Sequence, residues 1–167
     1  MDMDEAIPDK AARVELREIT RENLRDYLRL KVAPAQERFV APNAVSIAQA
    51  HFHSEAWFRG INANGTAVGF AMLEDWSFDP ARAPEDWRRE PYVYLWRFMI
   101  GERYQSLGFG AQAMGLLVAR ARAVPEAKAM FLSFVEEEGS PEPFYARFGF
   151  TRTGEVSDGE QVMRLSF

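Results

Sequence analysis

One stretch of the chain has the residue types and spacing of a ligand-binding turn: Arg103-Tyr104-Gln105-Ser106-Leu107-Gly108-Phe109-Gly110-Ala111, set between an apolar segment and an amphipathic one. Glycine lets backbone approach a ligand closely, and N–H groups at the start of a helix lack intrahelical acceptors, so they converge where an anion can sit. A pyrophosphate suits such a turn. A tight strand-to-helix turn that binds nothing is one alternative. A dinucleotide fingerprint is another, because Gly108-x-Gly110-x-x-Ala113 matches it and Glu136 follows about where a ribose-binding acid would stand. Chain position opposes the fingerprint, which opens a long parallel array. Here roughly a hundred residues of largely antiparallel pattern come first, and only about thirty follow Glu136. His51-x-His53 has no third ligand nearby, so no metal is expected. Arg97, inside the most apolar segment, needs a partner if buried, either in a structural ion pair or at a substrate site.

The elements that must position these residues follow from periodicity. Val14 and Leu16 alternate with charged residues up to Ile19, which predicts a half-buried strand. Thr20 reads as the N-cap of a helix with Glu22 at the positive end of its dipole and Leu24, Tyr27 and Leu28 as its buried stripe. Pro34 and Pro42 interrupt the next segment, and Ser46 reads as the cap of a second short helix running to about His53. Strands are predicted over Trp57–Ile61 and Ala67–Leu73, joined at Asn64-Gly65, whose residues supply the positive φ angles of a tight hairpin. The aperiodic connection from Glu74 to Glu90, with Trp76, Pro80, Pro84 and Trp87, reads as a lid or as a surface excursion.

Tyr92–Ile100 has the nearly continuous apolar run of a central strand. Met114, Leu117, Val118 and Ala121 line one face of a helix beyond Gly110, and Met130–Val135 is a further strand, giving a parallel crossover. Ser140-Pro141 starts a short helix that stops at Gly149, and Thr151–Phe167 closes the chain as a hairpin through Asp158-Gly159. Residues 1–11 read as a polar tail and 12–167 as one α/β domain with a mixed, mainly antiparallel sheet flanked by helices.

Composition narrows the function. At 167 residues the chain is about one domain long, and 47% hydrophobic residues with 13 Phe, 5 Tyr and 4 Trp suffice for a core, which excludes a disordered or coiled-coil protein. A net charge of −5 opposes broad nucleic-acid binding and would favour cationic partners if the acids cluster. With no cysteine there is no disulfide, no thiolate zinc site and no cysteine nucleophile. The acidic start of the chain has no signal-peptide pattern and no apolar stretch is long enough to span a bilayer, so the expectation is a soluble cytoplasmic protein without a membrane partner.

Gln105-x-x-Gly108-x-Gly110, at a strand end and a helix start, resembles the acetyl-coenzyme A signature of the GNAT family of N-acetyltransferases. Phe144-Tyr145-x-x-Phe148-Gly149-Phe150 resembles that family's later tyrosine-bearing helix and its Gly-Phe exit, and element order agrees over about 12–167. Within the family the chain looks most like bacterial spermine/spermidine acetyltransferases, through Phe39-Val40-Ala41-Pro42-Asn43, Ser46-Ile47-Ala48-Gln49-Ala50, Arg97-Phe98-Met99-Ile100 and Leu132-Ser133-Phe134. One departure is the absence of the asparagine often found at the start of the tyrosine-bearing helix, where Glu138, Gly139 and Ser140 stand.

The resemblance implies acetyl-CoA as cosubstrate, with the diphosphate on backbone N–H groups of Gln105, Ser106, Leu107, Gly108, Phe109, Gly110 and Ala111. It implies that the pantetheine arm runs along Phe98, Met99 and Ile100 and that Ser140 lies at the coenzyme. An N–H near Met99 or Ile100 would polarise the thioester carbonyl, and Tyr145 would protonate the departing thiolate, unless it is an ordinary core aromatic. The acceptor amine, with a pKa of about 10, must also lose a proton; Glu74, Asp75 or a water chain are the candidates. Glu37, Phe39, Glu74, Asp75 and Trp76 are the expected substrate contacts, and Glu55 and Trp57 would join Glu37, Glu74, Asp75 and Trp76 in an acidic aromatic cleft for a polyamine. A peptide N-terminus, amino acid or aminoglycoside is the alternative acceptor, and a non-catalytic acyl-CoA sensor the alternative class. The final hairpin could pair across a homodimer.

Overall fold

The protein is described by a computed structural model over residues 6–83 and 90–167. Asp2, Asp4 and Glu5 of the acidic tail, and Pro84 and Trp87 of the long connection, lie outside the described residues. The chain forms β1 (Val14–Arg17), α1 (Leu24–Leu28), α2 (Asn43–Ala50), β2 (Ala56–Ala63), β3 (Thr66–Asp75), β4 (Tyr92–Ile100), α3 (Phe109–Arg122), β5 (Ala129–Phe134), α4 (Glu142–Ala146), β6 (Thr151–Ser157) and β7 (Glu160–Ser166). One seven-stranded sheet runs β1-β2-β3-β4-β5-β7-β6, and among the described residues only the β4–β5 pair is parallel. That order leaves no room for a doubly wound dinucleotide array.

Both predicted hairpin turns form. Asn64 and Gly65 take φ of 46° and 97°, Asp158 and Gly159 take 50° and 83°, and the Gly65 N–H donates to Asn62 Oδ1 at 2.8 Å. The first two helices differ from their sequence reading. Asn23 Oδ1 accepts the Thr20 N–H at 2.7 Å and its Nδ2 donates to Glu18 O at 3.0 Å, so this side chain closes a turn upstream and the helix starts only at Leu24. Of the expected stripe, Tyr27 is buried while Leu28 is exposed. The Tyr27 ring lies against bare backbone: a Cβ on Gly60 would come within 2.1 Å of it.

The second helix begins at Asn43, earlier than Ser46, because Pro42 occupies the N-cap position, where its missing N–H costs nothing. Asn43 Nδ2 donates to Tyr27 O at 2.8 Å and ties α2 to α1. Ser46 lies buried inside α2, its hydroxyl turned back to Pro42 O at 3.4 Å.

The helices cover both sheet faces. Met114, Leu117 and Ala121 of α3 pack with Leu73, Leu95 and Leu132, while Val32, Ile47 and Ala50 cover Phe70, Met72 and Met99 on the other face. Two irregularities in β4 shape the site. A register shift pairs Met72 with Arg97 and Leu73 with Leu95, leaving Trp96 as the extra residue of a bulge. Pairing with β5 covers only Tyr92–Ala129, Val93–Met130 and Tyr94–Phe131. Beyond Tyr94 the two parallel strands diverge, and the sheet opens in the middle.

Candidate active site

A cavity of about 590 Å³ fills this opening. The 94–100 segment of β4 and residues 133–135 at the end of β5 and just beyond it form its sides, the 104–111 turn closes one end, and Ser140, Phe144 and Tyr145 line it from α4 and the preceding loop. Gln36, Phe39 and Val40 line it from the α1–α2 connection. Phe98 and Phe144 stack at 5.9 Å between centroids, giving the interior an apolar surface.

The turn follows from its residue types. Ser106 and Gly108 take φ of 62° and 87°, and Gly108 is the N-cap of α3 with no side chain capping the helix. The first-turn N–H groups of a 14-residue helix therefore have neither an intrahelical acceptor nor a side-chain cap, with the positive end of the helix dipole behind them. A Cβ on Gly110 would stand 3.5 Å from Ile100 Cγ1 and 3.9 Å from the Phe144 ring, so Gly110 keeps its backbone bare toward the cavity. Gln105 Nε2 donates to Ile100 O at 3.0 Å and to Gln36 Oε1 at 2.7 Å, locking the turn to the end of β4 and to the α1–α2 connection. Phe109 is buried in the core and Leu107 packs partly buried against it, and neither side chain lines the cavity. These features fit a diphosphate on the turn and an extended arm along β4.

Tyr145 is buried at the cavity wall, packed edge-on against Phe144 and Phe150 at centroid distances of 5.5 Å and 6.1 Å. Burial, with Tyr94 and Glu160 nearby, pushes its phenol well above the ordinary range, so it stays protonated at physiological pH. Near it, Tyr94 OH and Ser133 Oγ are 2.9 Å apart and Ser133 donates to Glu160 Oε2. All three line the cavity. Burial raises the Tyr94 phenol to about 12. Arg97 is there too: Nη1 donates to Trp96 O at 2.9 Å and Nη2 to Gln49 Oε1 at 3.3 Å, while Nε is buried without a hydrogen-bond partner. Burial lowers the pKa of this guanidinium.

The expected substrate residues are not brought together. Phe39 lines the cavity, but Glu37 is exposed and outside its lining. Asp75 and Trp76, with Glu55 and Trp57, border a separate cavity of about 440 Å³. There Arg82 Nη2 bridges Glu55 at 3.2 Å, and Trp76 is core, packed with Tyr92, Phe131 and Val162. Glu74 and Asp75 part company because successive residues of a strand face opposite sides. The residues of the acidic aromatic cleft are thus scattered over three places, and none of them lines the cavity in the sheet opening.

Glu74 is buried, 3.4 Å from the Trp76 Nε1 that donates to it and 3.6 Å from His53 Nδ1. His53 also tilts against Trp96, at 4.9 Å between centroids. Desolvation raises the Glu74 carboxyl above its ordinary pKa, outweighing Trp76 and His53. A carboxyl raised by folding favours the native state below its unfolded pKa and opposes it as pH rises through the folded value. Glu74→Gln should therefore raise the urea midpoint at pH 7, and the gain should vanish below about pH 4; denaturation at both pH values checks it.

Glu160 and Ser133 were not legible as site residues. Glu160 follows the Asp158-Gly159 turn in sequence, and only the pairing of β7 with β5 carries it to the cavity. Leu132-Ser133-Phe134 pointed to the segment without a role for the hydroxyl.

Comparison with known proteins bears on the family and the fold. The model of the acetyltransferase (GNAT) family matches residues 16–150. The spermine/spermidine N(1)-acetyltransferase of Bacillus subtilis (strain 168) is 29% identical over 154 residues, covering 90% of this chain and 96% of that protein. An acetyltransferase from Thermus thermophilus superposes with a TM-score of 0.68 at 12% identity, over 92% of this chain and 97% of that one. A GNAT family acetyltransferase from Elizabethkingia anophelis with acetyl-CoA bound gives 0.61 at 12% identity, over 93% and 97%. Among the described residues no helix is long and apolar enough to cross a membrane.

Proposed function

The chain belongs to the acetyltransferase (GNAT) family, and from that premise we propose that it moves the acetyl group of acetyl-CoA to a primary amine of a small polyamine such as spermidine or spermine. The observation that carries the acetyl-CoA part is the meeting, in one cavity, of the uncapped start of α3, the free flank of β4 and Tyr145. Backbone N–H groups from Gln105 to Ala111 hold the diphosphate, and the flank of β4 from Phe98 to Ile100 aligns the pantetheine arm. An N–H near Met99 or Ile100 polarises the thioester carbonyl. The amine nitrogen attacks the carbonyl carbon, the C–S bond breaks, and Tyr145 gives its proton to the thiolate and recovers one from the nitrogen. Ser140, which lines the same cavity, meets the coenzyme.

The polyamine part is supported by the name of the Bacillus subtilis relative, and by the aromatic residues Phe39 and Tyr94 that line the cavity. Arg97 favours a second reading, since a cation in the wall suits an amine that also carries a carboxylate, as an amino acid does. Thiol release from acetyl-CoA over spermidine, spermine, amino acids, a peptide N-terminus and an aminoglycoside decides between them. The polyamine reading expects the highest kcat/KM for spermidine or spermine. Higher values for amino acids overturn it in favour of the second reading, and coenzyme binding without turnover of any amine leaves a sensor.

A further inference from the structure

We propose that Ser133, backed by Glu160, takes the proton from the incoming ammonium group, so that the β5–β7 pair and not β3 supplies the base. This rests on the acetyl-transfer reading above.

The hydrogen bonds of Ser133 allow little else. A serine hydroxyl has one proton and two lone pairs. Its proton is committed to Glu160 Oε2, so Tyr94 OH, 2.9 Å away, must donate to one lone pair. The second lone pair is available to an N–H from the cavity that Ser133 lines. An ammonium group at Ser133 can then pass a proton to Oγ while the Oγ proton moves to Glu160. The nitrogen keeps the electron pair and becomes nucleophilic, and the carboxylate becomes a carboxylic acid. Glu160 adjoins the exposed Asp158-Gly159 turn, where that proton is returned to water.

Other charges around this chain fit the task. Glu160 is faced by Tyr94 and Arg97 from β4, Ser133 from β5 and Tyr145 from α4, with Glu74 at the end of β3. Arg97 disfavours a second cation beside it, which offsets the pull of the Glu160 carboxylate on the ammonium group. The two tyrosines stay protonated throughout the range in which the amine titrates, so neither competes as the base. Glu74, the strand candidate, is engaged by Trp76 and His53 and does not line the cavity.

The test is the pH dependence of kcat/KM from pH 6 to 10 for wild type, Ser133→Ala, Ser133→Thr and Glu160→Gln, with the best amine of the acceptor panel. A base that deprotonates an ammonium group is redundant once the amine is free in solution. At pH 7 Ser133→Ala and Glu160→Gln should therefore be about 100-fold or more slower, and by pH 10 within about fivefold of wild type. Ser133→Thr, which retains a hydroxyl, should stay within about fivefold of wild type at every pH. Acetyl-CoA affinity should be unchanged in all three, as a check on folding. A deficit of equal size at every pH, or none at pH 7, overturns the proposal while leaving acetyl transfer intact. If the wild type itself turns over no amine, the transfer reading falls and this inference with it.

Discussion

Gly110→Val should weaken acetyl-CoA binding at least about 100-fold, near 2.7 kcal/mol, with little loss of stability. The two effects separate because of where the side chain would go. A Cβ at Gly110 meets Ile100 and Phe144 at 3.5 Å and 3.9 Å, which is ordinary packing contact, so the native structure accepts it. The valine methyls would extend beyond that Cβ into the channel between the end of β4 and α4, where the coenzyme must pass its diphosphate and arm. Gly110 lies in the first turn of α3, so its N–H has no intrahelical acceptor and valine has little helix bonding to disturb. Calorimetry with acetyl-CoA and a thermal melt check this together. The expected result is lost binding heat with the unfolding midpoint within about 4 °C of wild type. Retained affinity would mean that the coenzyme does not use this turn.

Tyr145→Phe should lower kcat by about 100- to 1,000-fold at saturating substrates, or roughly 3–4 kcal/mol of barrier, with acetyl-CoA affinity within about twofold. Phenylalanine preserves the packing against Phe144 and Phe150 and removes only the hydroxyl. Because burial holds the phenol above its ordinary range, Tyr145 should remain a proton donor across pH 6–10. The wild-type rate should accordingly show no basic limb from this residue, whereas an acid of ordinary tyrosine pKa would begin to lose activity near pH 10. Rapid-quench or steady-state measurements over that range check both points. Unchanged turnover would make Tyr145 a core aromatic and leave water to protonate the thiolate.

Local chemistry made much of the fold legible. Asn64-Gly65 and Asp158-Gly159 are turns because of backbone freedom at those residues, and the period of Met114, Leu117 and Ala121 needs no knowledge of the sheet beneath it. The errors arose where a local signal met a competing partner. Thr20 and Ser46 are good N-cap residues, but Asn23 closes a turn around Thr20, and Pro42 claims the cap position so that Ser46 falls inside α2. The β4 bulge at Trp96 left no mark in an apolar run that reads as continuous strand.

The residue types and spacing of 103–111 and 144–150 by themselves determined the coenzyme signature and the family resemblance, because a glycine turn at a helix start and a tyrosine on the next helix are properties of short segments. The acceptor side belonged to tertiary structure. Pleating sent Glu74 and Asp75 to opposite faces, β4 parted from β5 after Tyr94, and β7 pairing carried Glu160 to Ser133 across 27 residues of chain. Strand register is set by cross-strand packing and burial, which no segment contains alone, and so the groups that would meet the amine came into view only once the sheet was assembled.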